Sequence, residues 1–314
     1  MKIFASGISE ARAEAELRRC AAPDELWLAG NRDFTAADRA AFLEAEVVLG
    51  GVPVDLLQSA ARLRWIQLLS VGIDSYQSTV RPQLRPGVVC TNLRGVYAEA
   101  MAQSVLAGIL AFTRAIPDVV KCQERRDWQK DRLHAQMNVI RGGHVLLLGG
   151  GSVPTRVREL LAAFGCTFTT YARTSGDIHT LAELDAALPR ADIVCAALPD
   201  TRETAGLMDA RRIGLLKPGA LFANVGRGSL VDEAALVAAL QANRIGGALI
   251  DVTRQEPLPP DDPLWRCPRV LLTQHSSAGS QDELLSAVIF FRQNLARYRH
   301  GDPLLNAVDW AKGY

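Results

Sequence analysis

No two of the six cysteines form a C-x-x-C pair; Cys20, Cys90, Cys122, Cys166, Cys195 and Cys267 stand singly along the chain. That spacing argues against a zinc site or a disulfide framework and fits reduced thiols in a cytoplasmic protein; no metal is expected. Excess charge is also lacking. Lys and Arg number 35 against 34 Asp and Glu, a formal net charge of +1, so neither nucleic acid nor an anionic membrane is indicated as a partner. No window approaches the roughly 18 apolar residues of a membrane span. The apolar stretch in "MKIFASGISEARAEAE" is too short for a signal peptide, and charge follows at once. Internal repeats and low-complexity segments are missing too. What remains is a chain of 314 residues, 48% apolar. At roughly 100–200 residues per domain, two domains with a core each are the natural reading.

Short apolar runs alternate with helix-like segments. "KIFAS", "ELWLA", "EVVLG", "LRWIQLLS" and "GVVCTN" read as strands, residues 10–20 as a helix, and Thr35 as the cap of a helix running through Leu43. Residues 96–115 form a long apolar-periodic helix ending before Pro117, and a polar stretch that reads as surface structure follows. From Gly143 the alternation resumes: strands 144–148, 167–171, 192–197, 220–225, 247–251 and 270–273, with helices 154–164, 180–187, 209–215 and 232–242 between them. A helix over about 281–299 closes the chain. Such alternation predicts α/β architecture with mostly parallel sheets covered by helices.

"VLLLGGGSVPTRV" (145–157) looks like a strand, a glycine turn and a helix. The dinucleotide fingerprint is G-x-G-x-x-G. Gly149 and Gly151 fill its first two places, and Pro154 stands in the third, read here as the first helical residue. Proline is tolerated there because its missing N–H has no intrahelical partner. Ser152 and Val153 still offer backbone N–H groups to a pyrophosphate. Alone, a glycine turn missing its third glycine is weak evidence, and the stretch reads as readily as an ordinary strand-to-helix turn without a ligand. The next strand ends at Ala172, where a ribose-binding acid is expected, and Arg173 and Thr174 follow. Without the acid, Arg173 can pair with a 2′-phosphate, which favours NADP over NAD; otherwise it is a surface arginine.

Three later stretches place reactive side chains at strand ends. They are "NVGRGSLVDEAAL" with Arg227, "DVTRQEPLPPDDPLW" with Asp251 and Glu256, and "LLTQHSSAG" with His275. In open parallel sheets the ligand crevice lies at the carboxyl ends of the strands. Reduction of a 2-oxo acid needs a cation for carboxylate and carbonyl, which suits Arg, and a proton donor, which suits His. A neighbouring carboxylate can orient the imidazole, and the cofactor supplies the hydride. His134, His144, His179 and His300 read as structural.

Together with "LPDTRETAGLMDARRIGLLKPGALFANVGRG" (198–228), these stretches resemble the D-isomer-specific 2-hydroxyacid dehydrogenase family. The likeness spans nearly the whole chain and is strongest over about 190–280. It implies two Rossmann-like, doubly wound parallel-sheet domains with the active site in the cleft between them. A substrate-binding, flavodoxin-like domain would be 1–95 plus 277–314, and a dinucleotide-binding domain 96–276. The resemblance further implies Arg227 on the substrate carboxylate and carbonyl, His275 as general acid–base, Glu256 as its partner, and Asp251 on the nicotinamide carboxamide. Backbone at Leu198, Pro199, Val225 and Gly226 and the Thr204 side chain would line the cofactor. The N–H groups of Val71 and Gly72, in "SVGIDSY", would receive the substrate carboxylate. A homodimer through the cofactor domain, with helix 96–115 contributing, is implied as well.

The chain departs from the family pattern at Pro154, at Gln274 (usually proline), at Gln103 (often Glu) and at Thr253 (usually aromatic). "TQHSSAG" and "YART" resemble the glyoxylate/hydroxypyruvate reductase branch, usually NADPH-linked. The expectation is therefore reduction of a small 2-oxo acid to the D-2-hydroxy acid with NADPH, NAD being possible. The alternatives are a dehydrogenase of a larger D-2-hydroxy acid or a non-enzymatic dinucleotide sensor of the same fold.

Overall fold

The computed structural model describes residues 1–30 and 33–313. The chain divides into two compact units, 1–97 with 280–314 and 98–279.

The first unit opens with β1 (Lys2–Ser6), α1 (Ala11–Ala21), β2 (Glu25–Ala29), α2 (Ala36–Glu44), β3 (Val47–Leu49), β4 (Trp65–Gln67), α3 (Asp74–Thr79) and β5 (Val89–Thr91). Its five strands are parallel, in the order β2-β1-β3-β4-β5. Thr35 caps α2 as its sequence suggests, in a capping box with Asp38; two otherwise orphaned N–H groups are thereby satisfied.

The second unit contains α4 (Ala98–Thr113), α5 (Ile116–Arg125), α6 (Lys130–Gln136), β6 (His144–Leu148), α7 (Ser152–Ala162), β7 (Thr167–Tyr171), α8 (Leu181–Ala187), β8 (Ile193–Ala196), α9 (Ala210–Leu215), β9 (Leu221–Asn224), α10 (Glu233–Gln241), β10 (Gly247–Ile250) and β11 (Val270–Leu272). Its sheet is again all parallel, in the order β11-β10-β9-β8-β6-β7. Strands buried on both faces need continuous apolar runs rather than alternation, and "HVLLL" and "IVCA" supply them. Val145 and Leu147 of β6 join one core with Val105, Ile109, Val157 and Leu161 of α4 and α7. Leu146 and Leu148 join the opposite core with Leu184, Ile213 and Leu236 of α8, α9 and α10.

Two expectations need correction. The long helix ends at Thr113, because Ala115 takes a left-handed conformation with φ 52°, and Pro117 sits inside the first turn of α5. The polar stretch beyond it is surface structure, as its composition suggests, folded into the largely exposed α5 and α6. The glycine-turn helix begins at Ser152, with Gly151 as its N-cap, so Pro154 is its third residue, not its first. The physical allowance is unchanged: the first bond of the helix is Thr155 N–H to Gly151 C=O, and no N–H is needed at 154.

The chain returns to the first unit as α11 (Glu283–His300), terminated by Gly301 in a left-handed conformation at φ 77°. Glycine takes that conformation without a steric cost. Val288, Phe291 and Leu295 of α11 bury against Ile3, Leu17 and Trp65. The Trp65 and Phe291 rings stack at 5.1 Å. Each such side chain contributes about 1.5–3 kcal/mol by leaving water. One polar residue is locked among them. Asn294, fully buried, donates to Leu305 C=O at 3.1 Å and to Gln67 Oε1 at 3.3 Å, and accepts from Leu305 N–H at 2.8 Å. Asn294→Ala strands those partners and should cost about 2 kcal/mol. The urea midpoint should fall with the slope unchanged; an unaltered midpoint would contradict this packing.

Candidate active site

Both sheets reverse their strand order at their first strand, β1 in one and β6 in the other. In doubly wound sheets that switch point is where a crevice opens outside the strand ends. The glycine turn leaves β6 at this place. Gly149 has φ 123°, and a Cβ there would lie 2.9 Å from Ala197 C=O, so the fold itself requires glycine. Gly151 differs. Its φ is −84°, and a Cβ would meet nothing within 4 Å. Nothing in the protein demands glycine at 151; a side chain would stand in the open space before the α7 N-terminus. That space, with the N–H groups of Ser152 and Val153 at the helix start, suits a pyrophosphate. The residues present therefore fit a dinucleotide.

At the end of β7, Ala172 is buried while Arg173 and Thr174 are exposed. The loop they begin is pinned. Asp177 Oδ2 accepts from Thr170 N–H at 2.7 Å, and Ala172 N–H donates to Ile178 C=O at 3.2 Å. Ser175, which the sequence reading did not single out, stands over the glycine turn: a Cβ at Gly150 would overlap its Oγ. Only the fold makes that neighbour visible. Glu203 also lies near. Its carboxyl is held below the ordinary range by backbone and Thr201 hydrogen bonds first, then by Arg173 and Arg202.

Leu198 and Gly226, at the ends of β8 and β9, approach so closely that a Cβ on Gly226 would lie 2.7 Å from Leu198 C=O. Val225 and Gly226 are buried, while Leu198 and Pro199 are half-buried. Thr204 Oγ1 donates to Pro199 C=O at 2.6 Å and accepts from Thr201 N–H at 2.9 Å. It shapes this loop.

Arg227 follows at once. Buried Asn224 braces it, donating from Nδ2 to Arg227 C=O at 2.9 Å while Oδ1 accepts from Gly226 N–H at 3.1 Å. The Arg227 guanidinium donates to Gly226 C=O at 2.7 Å. A Cβ on Gly228 would overlap the Thr253 backbone, so this turn and the loop carrying Glu256 lie in contact. That second loop has its own anchor, also missed in the sequence: half-buried Glu233, whose Oε1 accepts from Arg254 N–H at 2.7 Å. Burial, together with nearby Asp262 and Glu256, pushes the Glu233 carboxyl above the usual range.

Glu256 and His275 meet directly, His275 Nδ1 lying 2.7 Å from Glu256 Oε2. The other carboxylate oxygen accepts from Thr253 N–H at 3.0 Å, which fixes the carboxylate and through it the ring. A cavity of about 420 Å³ adjoins the pair, lined in part by Thr253, Pro257, Leu258, Trp265 and Leu272. Gln274 and His275 both take left-handed backbone, at φ 53° and 56°. Proline is fixed near −65°, so the residue usual at 274 in the resembling family is incompatible with this turn. Gln274 thus permits a different backbone path, rather than merely altering loop rigidity.

Asp251 is buried, and its carboxylate receives four hydrogen bonds from residues 273–277. It anchors that loop, and it also lines the cavity beside Glu256 and His275. Val71 and Gly72 belong to the other unit and precede α3. Their carbonyls are held by Asn92 Nδ2 and Ser70 Oγ, both at 2.8 Å. Among the described residues, no group of three or more His, Cys, Asp or Glu is arranged to hold a metal ion, and no helix is long and apolar enough to cross a membrane.

Comparisons with known proteins agree in direction. The family model described as "D-isomer specific 2-hydroxyacid dehydrogenase, NAD binding domain" matches residues 106–277. A glyoxylate reductase of Aeropyrum pernix is 31% identical over 272 residues, 82% of this chain and 80% of that one. A D-3-phosphoglycerate dehydrogenase of Archaeoglobus fulgidus is 28% identical over 85% of this chain, which spans 51% of that protein's length. The crystal structure of a D-isomer-specific 2-hydroxyacid dehydrogenase from Xanthobacter autotrophicus, in complex with NADPH and MES, superposes with a TM-score of 0.85. It is 29% identical and covers 100% of this chain and 99% of its own.

The contact at Gly228 yields a test. Gly228→Ala forces a methyl group into the Thr253 backbone, which cannot yield as a flexible side chain would. The variant should lose stability and displace the Glu256 loop. Turnover should drop at least tenfold, alongside a lower urea midpoint. Wild-type values for both would show that the two loops are not in contact.

Proposed function

Given that the chain belongs to the D-isomer-specific 2-hydroxyacid dehydrogenase family and is an NAD(P)-dependent oxidoreductase, we propose that it reduces a small 2-oxo acid of the glyoxylate or hydroxypyruvate type to the D-2-hydroxy acid. The observation that carries this reading is the Glu256–His275 pair, 2.7 Å apart, on a loop system that also carries Arg227. The guanidinium of Arg227 binds the substrate carboxylate and its carbonyl oxygen, a bidentate task that its planar fork suits. Glu256 holds Nδ1 of His275, so Nε2 is the nitrogen that delivers a proton to the carbonyl oxygen in reduction and removes it in oxidation. The nicotinamide, when bound, supplies or accepts the hydride. The glycine turn and the α7 N-terminus would hold its pyrophosphate.

NADPH is the proposed cofactor. Ala172 in place of an acid, followed by Arg173 and Thr174, supports this, as does the NADPH bound by the Xanthobacter relative. The glyoxylate reductase relative supports the substrate class. A larger 2-oxo acid is the second reading, favoured by the 420 Å³ cavity beside His275 and Glu256. A homodimer through the cofactor unit is proposed from exposed apolar side chains gathered within 116–139: Ile116, Val120, Val139 and, at 91% exposure, Trp128.

Purified protein should oxidise NADPH when glyoxylate or hydroxypyruvate is added. His275→Ala should lower turnover by about 100-fold or more while still binding NADPH by calorimetry. A variant with unchanged turnover would remove His275 from the reaction. Arg173→Ala should weaken NADPH binding by about tenfold or more, from one lost charge-assisted contact, with little change for NADH. Equal effects on the two dinucleotides would remove Arg173 from 2′-phosphate recognition.

A further inference from the structure

Two consecutive non-glycine residues in left-handed backbone, one of them the proposed acid–base, form a turn that the chain would not adopt unaided. Something must hold Gln274 and His275 at φ 53° and 56°. The strand order places Asp251 beside them, since β10 and β11 pair in parallel and end together, with Ile250 opposite Leu272. Asp251 then grips the turn through all its acceptors. Its backbone C=O accepts from His275 N–H at 2.6 Å. Its Oδ1 accepts from Thr273 Oγ1 at 2.6 Å, Ser276 N–H at 3.1 Å and Ser277 N–H at 3.0 Å. Its Oδ2 accepts from Ser277 Oγ at 2.6 Å. The far end of the turn is tied to α4, where Ser104 Oγ donates to Ser277 C=O at 3.1 Å.

We infer that Asp251, with the Thr273 and Ser277 hydroxyls, is a positioning clamp that holds His275 in its strained backbone so that its imidazole meets Glu256. This rests on His275 being the acid–base proposed above. A carboxylate suits the task because two hydroxyls and two amides all point donors at it, and an amide side chain would turn its NH₂ group toward one of them. Hydrogen bonds to a carboxylate are also the stronger kind. Glu256 fixes the ring from outside and Asp251 fixes the backbone from beneath, so neither alone places Nε2. The two hydroxyls complete the device: Thr273 and Ser277 flank the residues whose backbone is strained.

Thr273→Val and Ser277→Ala each delete one hydroxyl without adding bulk, and Thr273→Ser restores one. Two readouts are compared with wild type: steady-state kinetics with Kd for NADPH, and amide hydrogen exchange of residues 272–279 in the protein without added ligand. The clamp requires kcat to fall about tenfold in the Val and Ala variants, Kd for NADPH to stay within twofold, exchange over 272–279 to quicken, and Thr273→Ser to retain wild-type behaviour. Unchanged kcat, or a Kd that rises in step with the loss of kcat, overturns the inference; the latter would make the cluster a cofactor contact. Unchanged exchange overturns it irrespective of activity. If wild type turns over no 2-oxo acid while the variants still exchange faster, the clamp on the loop stands and the functional reading is what fails.

Discussion

Parallel pairing is the constraint on which the rest depends. Six strands that run the same way must release their outgoing loops at one edge of the sheet, whatever lies between those strands in sequence. Gly149, Arg173, Leu198, Arg227, Asp251 and His275 occupy the loops after β6, β7, β8, β9, β10 and β11. Residues up to 126 positions apart are thus gathered along one edge by hydrogen bonding that knows nothing of their chemistry. The apolar runs that make the strands are consequently part of the active site's construction. Val145 and Leu147 face one core and Leu146 and Leu148 the other, and a one-residue slip would exchange them.

On that edge, backbone proximity does the fine placement. Gly226 lies against Leu198, and Gly228 against Thr253, where any side chain would force the loops apart. Carboxylates then fasten what the glycines bring near. Glu233 holds the Arg254 amide, Glu256 bridges the Thr253 amide and the His275 ring, and Asp251 holds the turn below His275. Three acids, only one of them proposed to touch the reaction through its partner, give a half-exposed imidazole a defined position. Local backbone strain of the kind seen at 274 and 275 persists where surrounding structure over-determines it, and this cluster supplies that surrounding structure.

Much of this was legible in the residues. Apolar runs of four or five flanked by helical periodicity marked nearly every strand, and Thr35 announced its capping box. Arg227, Glu256 and His275 were legible because each follows a strand and belongs to a motif of fixed order. Other features were not. Pro154 looked like the first helical residue because a proline usually marks that position; the carbonyl that starts the helix belongs to Gly151, and a hydrogen-bond partner is not written in a local pattern. Ser175 and Glu233 carry no signal of their own, since one acquires its neighbour across a glycine turn and the other across a loop. The resemblance implies a cofactor contact for Asp251; the four donors that its carboxylate gathers from residues 273–277 could not be read from the sequence, because they come from the loop after another strand.

The sequence by itself determined the alternation of elements, the glycine at 149, the family and which side chains are candidates for the reaction, because each of these follows from periodicity, backbone preference or a motif read along the chain. Tertiary structure alone decided which reactive groups touch. The 2.7 Å contact between Glu256 and His275 joins residues 19 positions apart through the strand β11, and the left-handed turn that carries His275 is hydrogen-bonded to a buried carboxylate just past the end of the neighbouring strand. Such contacts depend on register and on the summed packing of two cores, which no short stretch of residues encodes.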